Sequence, residues 1–244
     1  EAGDAYRVLN DPARVRSRYR LLRGMFESGQ NDFNAYPLSE LPRLPARPLF
    51  LRHAFEHAGS FTQLLSNGRE VNDAVATLMM QGFRPDDLLG VEYLDTRGSD
   101  GLYRKYSYFR VGDEYIPRHL IFGQHWVLRY PDLVEDHLKE EEWAFLTSTP
   151  HLEAVKAAFN YAEVEYGRLD YAVSGSRIQV LEINTHPIIM MRPADYAEEH
   201  IPAQEYFASL IREALLGLCP DQESSEQGIA PQVNRDVLWG QVSD

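Results

Sequence analysis

Residues 168–187 read RLDYAVSGSRIQVLEINTHP. Two apolar, β-branched runs flank Ser174-Gly175-Ser176, the pattern of a hairpin that descends over Arg168–Val173 and returns over Arg177–Asn184. Folding about that turn sets Asp170 within one residue of Glu182 across the strand pair, and Asn184 shares the face of Glu182 because strand side chains alternate. Three oxygen-bearing side chains therefore gather at one end of the hairpin. Val180, Leu181 and Ile183 make the returning strand largely apolar, so a glutamate embedded there is costly without a partner. A magnesium ion would supply one, since it takes oxygen ligands from one or two carboxylates and completes its shell with phosphate and water. A polar hairpin face turned to solvent is the plainer alternative for Glu182-x-Asn184.

Outward from this hairpin the pattern is mixed. Asp11-Pro12 reads as a helix start and Gly29 as its end, with Arg18, Leu21, Leu22, Met25 and Phe26 on one face. Pro37, Pro42, Pro45 and Pro48 mark an ordered connection, and Leu49-Phe50-Leu51 a buried strand that delivers Arg52 and His53. A helix over 69–81 ends at Gly82, and Leu88–Leu94 is a further strand. A turn over 95–101 leads into a long strand from Tyr103, which Gly112-Asp113 folds back over Glu114–Phe122. Helical patterns cover about 132–147, 150–166 and 202–218, and the remainder is a polar tail. Helices interleaved with antiparallel hairpins make the class α+β.

The 244 residues carry 24 Lys plus Arg against 37 Asp plus Glu, a formal net charge of -13. That balance disfavours nucleic acid or an anionic membrane as partner, because phosphate backbones are bound by clustered cations. No run approaches the 18 apolar residues of a membrane span, and the single Cys219 makes no internal disulfide, which suits a reducing cytoplasm. Only Lys105, Lys139 and Lys156 are lysines, so a position where lysine is usual can hold arginine here.

An Asp on one strand followed by Glu-x-Asn at the end of the next, with Pro187 soon after, resembles the metal signature of the ATP-grasp superfamily. The likeness extends from about residue 8 to 190: Asn10-Asp11-Pro12 with its helix, the strand PLFLR, the segment LLGVEYLD over 88–95, and Tyr103–Tyr106 with Val111-Gly112-Asp113 each resemble a family element. It implies two α+β lobes, residues 1–92 and 93–218, with nucleotide bound in the cleft between them and a flexible polar tail over 219–244. A preceding domain, where this superfamily often holds its acceptor, is expected to be missing.

By resemblance Asp170, Glu182 and Asn184 would hold one or two Mg2+ ions against the β- and γ-phosphates of ATP. Arg52 stands where the family usually has a phosphate-contacting lysine, and the segment 57–62 stands for its small-residue phosphate loop with one glycine only. Glu92, Tyr93, Leu94 and Asp95 would meet adenine and ribose; Arg104 and Arg118 would stabilise transferring phosphate. The implied activity is an ATP- and Mg-dependent carboxylate–amine ligase that forms ADP and acts on small-molecule acids and amines. A kinase on the same fold and a nucleotide-binding module without catalysis remain open as alternatives. A remoter one is a zinc peptidase, since His53-Ala-Phe-Glu56-His57 matches H-x-x-E-H; that motif works only on a helix, and here it follows a strand.

Overall fold

The computed structural model describes residues 8–41, 46–57, 59–128, 133, 135–189 and 200–218. Pro42 and Pro45 of the proline-rich connection, the first residue of the helical pattern at 132 and the polar tail over 219–244 lie outside the described residues. Contacts delimit two compact units, Glu1–His186 and Pro187–Asp244. The second contains helix α5, Ile201–Leu216, which opens with a proline in its first turn and buries Ala203, Phe207, Ile211 and Ala214 at helical spacing.

The first unit is α+β and antiparallel throughout. A three-stranded sheet runs β1–β3–β2, from β1 (Ala35–Pro37), β2 (Leu49–His53) and β3 (Leu88–Glu92), beside helices α1 (Arg18–Glu27) and α2 (Gly68–Met80). A four-stranded sheet runs β5–β4–β6–β7, from β4 (Tyr103–Val111), β5 (Glu114–Gly123), β6 (Tyr166–Ser174) and β7 (Arg177–Asn184). Helices α3 (Asp136–Ser148) and α4 (Leu152–Ala162) lie between β5 and β6 in the chain.

Most elements begin and end where the sequence places them, and the departures have local causes. Helix α1 starts at Arg18 rather than at Pro12, because Asp11–Arg14 form a turn and the Arg16 amide donates to Ala162 O instead of to a helical carbonyl. Ser17 then caps the helix, and Gly29, at φ +71°, closes it in the left-handed conformation glycine tolerates best. Helix α4 stops at Ala162 with Glu163 left-handed, and Tyr166 already belongs to β6. Strand β1 ends on Pro37, the first residue of the proline-rich stretch, and has no counterpart in the sequence pattern. It is three residues long and pairs with β3, and its last residue, Pro37, has no amide to donate.

The two faces of the larger sheet differ. One carries Tyr106, Tyr108 and Tyr171, with Tyr106 stacked on Tyr171 at 5.2 Å and both Tyr106 and Tyr108 edge-on to Phe145 of α3. Tyr108 and Tyr171 are fully buried, so this is the apolar base on which the sheet is built. The other face carries Lys105, Ser107, Arg168 and Asp170, the alternate residues of the same strands. Against β7, α1 and the small sheet form a second core of Leu22, Phe33, Ala35, Ala54, Leu89 and Val91, into which Leu181 packs.

Candidate active site

Two irregularities in the strand ladders assemble the polar face. In the outer part of the β6–β7 hairpin Ser174 pairs with Arg177 and Tyr171 with Val180, but then Asp170 pairs with Glu182, which leaves Leu181 as an extra residue. Leu181 is the residue that reaches the core of the small sheet, so the bulge lets one strand serve both a core and a site. On β5 the equivalent extra residue is Arg118, between Pro117 opposite Tyr108 and His119 opposite Ser107; Pro117 has no amide for a regular ladder. The result is a single row across four strands: His119, Ser107, Asp170, Glu182.

Asp170 is 2% exposed and fully engaged. Ser107 Oγ donates to its Oδ1, Arg168 Nε donates to the same oxygen at 3.0 Å, and Arg168 Nη2 reaches Oδ2 at 3.3 Å. Lys105 Nζ stands 3.9 Å from Oδ2 while donating to Leu128 O at 2.5 Å. On the far side of Ser107, the His119 ring nitrogen Nε2 is sealed from solvent and has no hydrogen-bond partner among the described residues. Burial, then the charges of Arg118, Arg168 and Lys105, push its pKa well below the ordinary 6.5, so this imidazole is neutral.

Glu182 meets a different set of cations. Arg52 Nη2 donates to Oε2 at 2.5 Å, Arg18 Nη2 donates to the same oxygen at 3.0 Å, and His57 Nδ1 lies 3.5 Å from it. Burial alone would raise the carboxyl, but His57, Arg52 and Arg18 together outweigh it and hold Glu182 well below the usual carboxylate range. His57 Nδ1 is closer to Arg18, at 3.0 Å, and there accepts from Nη2. Burial, reinforced by Arg52, brings Arg18 down to about 10 against the pull of Glu182.

Arg18 also shapes the segment after β2. Its Nη1 donates to the carbonyls of His53, Ala54 and Glu56 at 2.8, 3.2 and 2.9 Å, so one buried guanidinium ties helix α1, this segment and β7 together. His53 Nδ1 in turn accepts from the amides of Phe55 and Glu56. The H-x-x-E-H stretch is thus a strand end and bend rather than a helix, and its first histidine caps its own backbone. Among the described residues no group of three His, Cys, Asp or Glu side chains is gathered to hold a metal.

The other residues singled out in the sequence are dispersed. Arg104 lies on the aromatic side of β4, bonded to Glu141 of α3 at 2.7 Å and to Asp100 at 2.8 Å; its neighbour Lys105 is the cation that faces Asp170. Arg118 is buried at the β5 bulge beside His119. Asn184 Oδ1 accepts from the His186 amide at 2.8 Å. Glu92 holds β1, accepting from the Asn34 amide and Tyr36 Oη, and Asp95 is paired with Arg97. The Tyr93 amide donates to Pro48 O, its hydroxyl meets that of Tyr103 at 2.6 Å, and Leu94 packs into the core around Leu22. Tyr93 also meets Trp126 edge-on, which in turn packs against Phe50.

Arg18 and Arg168 went unread as site residues. The signal for Arg18 is its place on the buried stripe of α1, with Leu21, Leu22 and Met25, where an arginine needs a buried partner. Arg168 is two residues before Asp170 on one strand and therefore on its face.

The oxygens of Asp170, Glu182 and Asn184 are the donor type magnesium prefers, but as arranged they do not fit a resident ion. Asp170 is occupied by Arg168 and Ser107, Glu182 by Arg18 and Arg52, and Asn184 by a main-chain amide.

No family model and no curated protein matches the chain. Among solved structures it is similar to an L-amino acid ligase from Bacillus licheniformis, at TM-score 0.47 and 12% identity over 83% of this chain and 48% of that one. It is also similar to D-alanine–D-alanine ligases from Bacillus anthracis (TM-score 0.45, 14% identity, 82% and 69% of the two chains) and Coxiella burnetii (0.43, 17%, 82% and 58%). The chain spans about half the length of the first of these.

Proposed function

We propose that this chain is the nucleotide-binding part of an ATP-grasp-type ligase that joins a carboxylate to an amine and releases ADP. One observation carries the reading. In a protein of net charge -13, Arg18, Arg52, Lys105 and Arg168 gather on two buried or half-buried carboxylates, Asp170 and Glu182. An excess of buried positive charge in an acidic chain suits a polyanion such as a triphosphate.

In the proposed reaction a substrate carboxylate oxygen attacks the γ-phosphorus, the bond to the β,γ-bridging oxygen breaks, and ADP leaves. The amine nitrogen then attacks the acyl carbon, phosphate departs with the electron pair of the carbon–oxygen bond, and the nitrogen loses a proton. The arginines and Lys105 neutralise charge and hold the reactants in line; no covalent protein nucleophile is needed, and Ser107, fully buried and bonded to Asp170, is not placed to be one. The Tyr93 amide is already given to Pro48, so in this reading the adenine edge falls to Leu94 and the Tyr93 carbonyl. A divalent ion belongs to it as a companion of the nucleotide, not as a resident of the carboxylate pair. Small-molecule partners and a cytoplasmic location are part of the same proposal; no helix among the described residues is long and apolar enough to cross a membrane.

The test is calorimetric titration with ATP, followed by ADP, AMP and phosphate release over a library of carboxylic acids and amines. ADP formed only when both an acid and an amine are present supports the ligase. ADP formed with an alcohol alone points to a kinase, and tight binding without turnover points to a binding module.

A further inference from the structure

We infer that Arg18 and Arg52 form a polyphosphate site that needs no metal: Glu182 is their anchor rather than the ligand of a resident ion, and an incoming phosphate takes Arg52 in exchange. This rests on the polyphosphate-binding part of the proposed function and departs from the metal role that the sequence suggests for Glu182.

Both arginines are 8% exposed and both donate to one oxygen, Glu182 Oε2. Two buried positive charges thus share one negative charge, which leaves a net positive charge that burial penalises. The Nε–H groups of Arg18 and Arg52 are buried as well, without a hydrogen-bond partner among the described residues. Buried N–H groups are nearly always satisfied, so a pair of orphans on adjacent guanidiniums marks acceptors that arrive with a ligand.

The two arginines are not equally free. Arg18 is fixed by three main-chain carbonyls and His57, whereas the one side-chain bond of Arg52 in the described structure is to Glu182. A phosphate group carries more charge than a carboxylate and offers more oxygens to a planar guanidinium. It would draw Arg52 away and satisfy its Nε–H, while Arg18 stays to neutralise Glu182. A lone divalent cation meets the opposite field. It would have to displace arginines from both carboxylates in a region where Arg18, Arg52, Arg168 and Lys105 outnumber Asp170 and Glu182.

The experiment is calorimetric titration of the full chain with inorganic tripolyphosphate in EDTA, together with electron paramagnetic resonance of free Mn2+ mixed with protein alone. Tripolyphosphate should bind in EDTA at least as tightly as with Mg2+, and the Mn2+ signal should be undiminished. Arg52→Gln should weaken binding by about tenfold or more, and Arg52→Lys should recover part of it. Glu182→Gln should tighten it by roughly two- to tenfold, because Arg52 loses its competing anion. Mn2+ taken up by the protein alone and lost in Glu182→Gln, or tripolyphosphate bound only when a divalent ion is present, would overturn the inference and leave the ligase reading intact. Tripolyphosphate bound in EDTA with no ATP binding under any condition would sustain the inference and remove the ligase.

Discussion

Asp170 and Glu182 stand opposite one another on β6 and β7, yet their carboxylates belong to separate networks: Asp170 to Ser107, Arg168 and Lys105 of the larger sheet, Glu182 to Arg18 and Arg52 of the smaller half. The pair is therefore where the two sheets are joined electrically, each acid balancing cations from its own side. Removing a single donor from either network leaves a buried charge short of a partner, and the cost scales with how many donors remain.

For Asp170 the donor to remove is Ser107, which is fully buried. Ser107→Ala should destabilise the protein by about 1–3 kcal/mol, the cost of an unmet buried hydrogen bond to a charged group, with Arg168 still in place. Urea unfolding measures it, and a change below about 0.5 kcal/mol, the level of an ordinary surface substitution, would show that the hydroxyl contributes nothing to holding Asp170.

For the other network Arg18 carries more. Arg18→Gln abandons three main-chain carbonyls and half of the compensation of Glu182, for an expected loss of about 2–4 kcal/mol. Hydrogen exchange should rise first over residues 53–57, whose carbonyls it holds; unchanged exchange there would mean that the segment is held by something other than Arg18.

The hairpin over 168–184 was legible in the sequence because its turn residues and alternation are local signals, and the register fell within one residue of that observed. What was not legible is why it is off by that residue. Leu181 bulges to fill a core made of Leu22, Phe33 and Val91, residues about 90 or more positions away, and no local pattern encodes that. The same holds for Arg18, whose burial is readable from its helical stripe but whose partners lie on β7 and after β2. Conversely, Arg104 carried the right residue type at a plausible site, but strand alternation turns it toward Glu141 and gives the Asp170 face to Lys105.

That alternation is testable. Lys105→Ala should weaken ATP binding by about tenfold, the value of one charge-assisted contact, whereas Arg104→Ala should change it by less than about twofold and act instead on stability through Asp100 and Glu141. Equal loss of nucleotide affinity in both variants would place Arg104 on the ligand side.

His119 supplies a prediction about pH. In the folded protein its imidazole is neutral, because burial and the charges of Arg118, Arg168 and Lys105 hold its pKa well below 6.5, and no carboxylate on its own strand or on Lys105's strand offsets them; Asp170, two strands away, is taken up by Ser107 and Arg168. In the unfolded chain the ring protonates near 6.5. Below that pH the unfolded state binds the additional proton, so stability rises with pH in this window and is lost as pH falls through it, by at most about 1.4 kcal/mol per pH unit for this one group. His151, lowered by its own burial, acts with the same sign and remains in a single-site variant. His119→Gln should accordingly lose less stability than the wild type between pH 7 and 5, the difference between the two urea-unfolding curves being the share of His119. Parallel curves would mean that His119 titrates alike in both states, which would require solvent or an acceptor at an Nε2 that the structure seals off.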